Sequence, residues 1–68
     1  MMITIVVNGE QKEVEAGLTL DRLLSCFGLP PGRVAVERNR RVVPRGGFSA
    51  EPVEAGDRFE VVTLVGGG

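Results

Sequence analysis

The sequence predicts an α+β fold in which a single helix packs on a small mixed sheet. Several short segments rich in β-branched residues are separated by glycine, proline and asparagine turn signals. One further segment, after the first two of these, has apolar residues at helical spacing. The chain has 68 residues, and a chain of that length buries only about 60% of its unfolded surface, which leaves room for one thin core.

The first two strands are predicted to form a hairpin. Residues 3–7 are rich in β-branched side chains and predict a buried strand. Asn8-Gly9 predicts a type I′ turn, because both central positions of that turn require a positive φ. Residues 11–15 are polar apart from Val14, as expected for an edge strand, and Ala16-Gly17 ends it.

Residues 20–27 predict an amphipathic helix with signals at both ends. Its apolar residues occur at positions i, i+3, i+4 and i+7, namely Leu20, Leu23, Leu24 and Phe27. Thr19 is the expected N-cap, and Asp21 is favourably placed in the positively polarised first turn. Gly28 is expected in the left-handed conformation after the helix, with Leu29 folding back onto Leu24 in a Schellman motif.

The rest of the chain predicts a second hairpin and a last strand. Residues 34–38 and 41–43 are joined at Asn39-Arg40, Phe48 is expected in the core, and residues 59–65 form the last strand. The first and last strands are the most apolar, so we expect them side by side in the centre. If they are parallel, Leu64 and the glycine tail emerge at the sheet margin, near the carboxyl end of the first strand. This arrangement is the β-grasp, or ubiquitin-like, fold: a mixed sheet of four to five strands packed on one α-helix, in a single domain over residues 1–68.

Composition excludes several classes of function. The chain has no histidine, which excludes histidine-based metal sites and histidine general bases, and we expect no bound metal. The lone Cys26 cannot form an internal disulfide and is expected to be a half-buried packing residue. A net charge of −1 and the lack of a long apolar stretch predict no nucleic acid and no membrane as partners. Residues 1–7 have no basic leader and no small-residue cleavage site, so we expect no signal peptide and a cytoplasmic protein, monomeric when alone.

Two features of the surface have more than one interpretation. The arginines of the middle third indicate a solvated face, with a docking face for an acidic partner or for RNA as alternatives; they are Arg33, Arg38, Arg40, Arg41 and Arg45. Apolar residues on the uncovered sheet face are expected to form a docking surface. Its register stays open between Val61 with Thr63 and Val62 with Leu64.

The sequence ends in an apolar segment followed at once by three glycines, Gly66, Gly67 and Gly68. Glycine removes the steric limits on φ and ψ, so residues 65–68 are expected to form a thin, flexible tail. A frayed terminus is the alternative. Three consecutive glycines directly after a strand favour a tail whose carboxylate enters the active site of another protein.

With these elements in place, the sequence resembles the ThiS family of sulfur carrier proteins of thiamine biosynthesis, which are β-grasp domains ending in Gly-Gly. The resemblance covers essentially the whole chain. It lies in residues 3–9, 18–24, 34–39, 42–45 and 56–61 and in the terminal glycines. The terminal glycines are its most specific part. The related MoaD carriers of molybdopterin synthesis share the fold and the glycines but are usually somewhat longer.

The resemblance implies that Gly68 carries the working carboxylate and that Gly66 and Gly67 enter the partner's site. An E1-like adenylating enzyme of the ThiF type would use ATP to activate the carboxylate, and a persulfide would supply sulfur. The resulting thiocarboxylate would deliver sulfur to a thiazole synthase of the ThiG type. The chain itself would bind no cofactor and would not be an enzyme. The alternatives are a molybdopterin-synthase-type carrier and a ubiquitin-like interaction module without terminal chemistry.

Overall fold

The computed structural model describes residues 1–64, and residues 65–68 lie outside this description. Within residues 1–64 the elements are β1 (Met2–Val7), β2 (Glu10–Glu15), α1 (Leu20–Cys26), β3 (Val34–Arg38), β4 (Arg41–Val43) and β5 (Arg58–Thr63). Short 3₁₀ helices precede β3 and follow β4. The strands form one sheet in the order β2-β1-β5-β3-β4.

The central pair of the sheet is β1 with β5, and it is parallel, whereas β1–β2, β3–β4 and β3–β5 are antiparallel. The predicted side-by-side placement of the first and last strands is therefore correct. One helix packed on a five-stranded mixed sheet confirms the predicted β-grasp fold.

Both hairpin turns use left-handed backbone. In the first turn Asn8 has a φ of 50° and Gly9 a φ of 83°, as the type I′ prediction requires. In the second turn Asn39 and Arg40 have φ values of 51° and 69°. The side-chain oxygen of Asn39 accepts a hydrogen bond of 3.0 Å from the backbone N–H of Arg58, which helps to hold this turn against β5.

The ends of α1 follow the sequence signals. Gly28 has a φ of 71°, the N–H of Leu29 donates to the carbonyl of Leu24 at 2.8 Å, and the N–H of Gly28 donates to Ser25 at 3.0 Å. These bonds form the predicted Schellman motif. At the other end Thr19 is the N-cap, but its hydroxyl donates to the carboxylate of Asp21 instead of accepting from the helix backbone. That hydrogen bond lowers the pKa of Asp21.

The hydrophobic core lies between α1 and one face of the sheet. Each strand places at least one side chain in it, and the connection between β4 and β5 adds Phe48 and Val53. The buried apolar residues are Ile5, Val7, Val14, Leu20, Leu23, Leu24, Val34, Val36, Val43, Phe48, Val53 and Phe59. The prediction that Phe48 is a core residue is confirmed, and Phe27, at the C-cap of α1, is half-buried.

Three expectations differ from the structure. The last strand ends at Thr63, so Leu64, predicted to lie in it, follows the strand; the predicted end at Val65 lies outside the described residues. Cys26 is exposed and not half-buried, because it is the last residue of α1 and lies off the stripe of buried leucines. Arg38 does not belong to a solvated face, because it occupies an inward-facing position of β3 and is paired there. No helix within residues 1–64 is long and apolar enough to cross a membrane.

Candidate functional site

Strand β5 positions the residues that lead to the predicted site. On one side it pairs with β3 along its length, from Arg38 opposite Phe59 to Val34 opposite Thr63. On the other side it pairs with the end of β1 only at its first residues, where Val7 lies opposite Phe59. β5 therefore carries the chain past the end of β1, beside the turn that joins β1 to β2.

Asn8 takes over where the pairing between β1 and β5 stops. Its backbone N–H donates to the carbonyl of Phe59 at 2.9 Å. Its side-chain amide then bonds both backbone groups of Val61: Nδ2 donates to the carbonyl at 3.0 Å, and Oδ1 accepts from the N–H at 2.8 Å. The side-chain amide of Asn8 thus makes the two hydrogen bonds that a further residue of β1 would make if the strand continued. These bonds extend the contact with β5 by two residues, from Phe59 to Val61.

Leu64 is the last residue that the structure describes. Its backbone N–H donates to the carbonyl of Arg33 at 2.7 Å, so it is still fixed to the chain segment before β3. The predicted site residues Gly66, Gly67 and Gly68 lie outside the described residues. The structure thus places the point from which the predicted tail departs: the end of the central strand, beside the β1–β2 turn.

The sheet face opposite α1 resolves the register that the sequence left open. Val61 packs against the core, whereas Val62 is 60% exposed and Leu64 44% exposed, so Val62 and Leu64 belong to the uncovered side. Ala35 lies opposite Val62 on β3 and is exposed, and Val42 on β4 is 72% exposed. We refer to Ala35, Val42, Val62 and Leu64 as the exposed apolar face.

A cluster of charged groups lies away from this face, around the inward-facing Arg38. Its guanidinium donates to Asp57 at 2.8 Å, to Glu51 at 3.0 Å and to Glu54 at 2.8 Å. Asp57 is buried, and it also accepts from the N–H of Glu54 and from the amide of Asn39. We refer to Arg38, Glu51, Glu54 and Asp57 as the Arg38 cluster.

Hydrogen bonds favour the charged forms of Asp57 and Arg38. Burial raises the pKa of Asp57, but the bonds from Arg38, Glu54 and Asn39 and the positive charge of Arg38 outweigh burial and lower that pKa below its ordinary value. The bonds to Asp57 in turn raise the pKa of Arg38. Both groups remain charged, and each makes several hydrogen bonds within the protein, which indicates a structural role.

Sequence reasoning missed this cluster, although one signal could have found it. Val34, Val36 and Arg38 share one face of β3 by the two-residue period of a strand, and the two valines are core residues. A charged residue on the core-facing side of a strand requires a partner of opposite charge. The predicted turn residue Asp57 is that partner.

The described residues offer few reactive groups. Within residues 1–64 there is no group of three or more histidine, cysteine, aspartate or glutamate side chains placed to hold a metal ion. The thiol of Cys26 is exposed at the end of α1. The chemistry that the sequence predicts depends on the carboxylate of Gly68. The described residues fix only Leu64, the residue from which the predicted tail departs.

Comparisons with known proteins agree with this architecture. The model of the ThiS family matches residues 5–68. The crystal structure of the thiamine biosynthesis protein ThiS from Geobacter metallireducens superposes with a TM-score of 0.82 at 33% identity, covering 97% of this chain and 100% of that one. The protein ycf40 of Porphyra purpurea is 33% identical over 66 residues, which are 97% of this chain and 93% of ycf40.

Two further relatives are much longer proteins. The thiazole synthase of Magnetococcus marinus is 48% identical over 64 residues, and that of Paramagnetospirillum magneticum is 39% identical over 64 residues. The match covers 94% of this chain but only 20% of each synthase, so the chain spans about a fifth of their length. The family match over nearly the whole chain, together with the shared fold, shows that this chain belongs to the ThiS family.

Proposed function

We propose that this chain is a sulfur carrier of thiamine biosynthesis and that the Gly68 carboxylate carries the sulfur. A carboxylate acylates poorly because oxide is a poor leaving group. Attack of the carboxylate on the α-phosphate of ATP gives an acyl adenylate and pyrophosphate. The terminal sulfur of a persulfide then displaces AMP, and a second thiol takes the other sulfur into a disulfide, which releases the thiocarboxylate.

In this proposal other proteins supply the catalytic groups, and the chain is their substrate. A ThiF-type enzyme binds ATP and positions the carboxylate for adenylation, and a persulfide donor supplies sulfur. The contribution of this chain is geometric. The bonds from Asn8 to Val61 and from Leu64 to Arg33 fix the end of β5. From there residues 65–68 reach at most about 13 Å when extended.

Membership of the ThiS family carries the proposal, and the thiazole synthase relatives favour a thiazole synthase as the acceptor. In both of them a segment similar to this chain occupies a fifth of the protein. Joining a carrier to its acceptor in one polypeptide raises the local concentration of each for the other to about the millimolar range. This observation favours the thiamine pathway over the molybdopterin pathway, where a different synthase would receive the sulfur.

The decisive measurement is the intact mass of the chain purified from cells that also express the ThiF-type enzyme. We expect a species in which one sulfur replaces one oxygen, and we expect none when Gly68 is deleted. An unmodified mass with the enzyme, ATP and a sulfur source all present would contradict the proposal and favour an interaction module. Delivery of the sulfur to a molybdopterin synthase, but not to a thiazole synthase, would assign the chain to the other pathway.

A matched pair of alanine substitutions tests why the chain ends in glycines. Gly67→Ala adds one methyl group next to the reacting residue and keeps the carboxylate, and we expect much slower adenylation with unchanged folding. The control is Gly32→Ala, because a Cβ at Gly32 meets no atom within 4 Å. Equal adenylation rates for the two variants would show that a slender tail is not required.

A further inference from the structure

The two sides of β5 differ in which backbone groups are bonded. The bonds from Asn39 to the carbonyl of Arg58 and from Leu64 to the carbonyl of Arg33 show that even-numbered residues of β5 bond towards β3. Odd-numbered residues therefore direct their N–H and carbonyl groups towards β1. Along that side Phe59 and Val61 are bonded to Asn8, and the next odd-numbered residue is Thr63.

Within residues 1–64, no strand neighbours Thr63 on that side. The chain turns away at Asn8 and Gly9 to form β2 at the outer edge of the sheet, so β1 does not extend to Thr63. Among residues 1–64 no group bonds the backbone N–H or carbonyl of Thr63, and the residue is exposed. Its neighbours Val62 and Leu64 are also exposed and belong to the exposed apolar face. We refer to Thr63 and its open side as the Thr63 edge.

We propose that the Thr63 edge binds an extended main-chain segment of the adenylating enzyme, which occupies the strand position vacated by β1. This inference rests on the proposed function. A carboxylate that reacts within about 13 Å of Leu64 brings the surface of the enzyme against the end of β5. A strand added there bonds the N–H and carbonyl of Thr63, while the apolar side chains beside them add contact area.

Hydrogen exchange tests the proposal without altering the chain. In the ¹⁵N-labelled chain alone, the amide of Thr63 should exchange fast, whereas those of Val61 and Leu64, already bonded to Asn8 and Arg33, should exchange more slowly. Addition of the purified ThiF-type enzyme without ATP should slow exchange at Thr63 at least tenfold. Unchanged exchange at Thr63 in the complex would overturn the proposal. Protection in the chain alone that grows with its concentration would assign the edge to a second copy, and would also overturn it.

Two substitutions separate the backbone of Thr63 from its side chain. Thr63→Pro removes the N–H that no described residue uses, and proline is tolerated where the N–H of a strand faces solvent. Thr63→Val keeps the N–H and the side-chain shape. We expect Thr63→Pro to bind the enzyme about tenfold more weakly than Thr63→Val, as for the loss of one hydrogen bond at an interface. Equal affinities would contradict the proposal.

The two proposals fail in different ways. A wild-type chain that binds the enzyme but gains no sulfur contradicts the proposed function. Hydrogen exchange at Thr63 in that complex still tests whether the enzyme binds the Thr63 edge. A wild-type chain that becomes a thiocarboxylate while Thr63 stays unprotected contradicts the edge alone. If Thr63→Pro does not fold, replacing the amide of Thr63 by an ester removes the same N–H without the proline ring. The same tenfold loss is expected for that ester variant.

Discussion

At the scale of single residues, Asn8 combines two tasks that different residues could perform. It occupies a left-handed turn position, and its side chain continues the sheet by bonding both backbone groups of Val61. Asn8→Gly keeps the backbone conformation and removes only the amide, so we expect a loss of about 1–2 kcal/mol in the free energy of unfolding. Since the chain has no tryptophan or tyrosine, urea unfolding followed by circular dichroism is the suitable measurement.

Two further variants separate the contributions of the Asn8 hydrogen bonds and backbone conformation to stability. Asn8→Asp keeps the acceptor for the N–H of Val61 but turns a carboxylate oxygen, which cannot donate, towards the carbonyl of Val61, so it should be at least as destabilising as Asn8→Gly. Asn8→Ala also loses both bonds but, unlike Asn8→Gly, keeps a Cβ in the left-handed region, so it should cost about 1 kcal/mol more than Asn8→Gly. If Asn8→Gly had the same urea midpoint of unfolding as the wild type, the amide would contribute nothing to stability.

The contacts of single residues are also what the sequence predicts least well. Asn8-Gly9 predicted a turn from its backbone preference, but the bonds from its amide to Val61 join residues 53 positions apart. Composition groups Arg38 with the exposed arginines, because it does not show which side of a strand a residue occupies. In both cases the local signal is correct and the partner is distant in sequence, where propensity carries no information.

At the scale of elements, the end of α1 depends on Gly28. An ideal Cβ at Gly28 meets no atom within 4 Å, so Gly28→Ala changes only the backbone cost of a φ of 71°. We expect a loss of about 1 kcal/mol, which lowers the Tm of a domain of this size by about 4–8 °C. Gly32→Ala is the control, because Gly32 is equally open but not left-handed, and it should stay within about 0.5 kcal/mol of wild type. Equal Tm values for the two variants would contradict the Schellman argument.

The elements show what a sequence can predict and what it cannot. The ends of α1 follow local signals, namely a cap residue, an apolar stripe and a glycine, and the structure agrees with them within a residue. The face of β5 could not be assigned locally, because residues 61, 62 and 64 are all apolar and the two-residue alternation fails there. Pairing decides it: Val62 lies opposite Ala35 on the open side, which turns Val61 towards the core.

At the scale of the whole molecule, the Arg38 cluster adds charged contacts between parts of the chain that also share the hydrophobic core. Arg38 comes from β3, Glu51 and Glu54 from the long connection before β5, and Asp57 from the residue just before β5. Arg38→Met leaves the buried Asp57 without its cation, and we expect a loss of about 3 kcal/mol at pH 7. Arg38→Lys keeps the charge but cannot bond three carboxylates in the same geometry, so its loss should be smaller. Urea unfolding at pH 7 measures both.

The same cluster makes a prediction for pH. Because the folded-state pKa of Asp57 lies below its ordinary value of 3.8, the cluster contributes its full stability above that value. The contribution is lost as the pH falls through the lowered pKa, when Asp57 takes up a proton in the folded state as well. The difference in unfolding free energy between wild type and Arg38→Met should therefore be largest near pH 7 and should shrink as Asp57 takes up a proton at lower pH, with its smallest value below about pH 4. Arg45→Met removes an exposed arginine and should follow the wild-type pH curve. A difference for Arg38→Met that stays constant down to pH 2 would mean that the packing of Arg38, and not its charge, stabilises the fold.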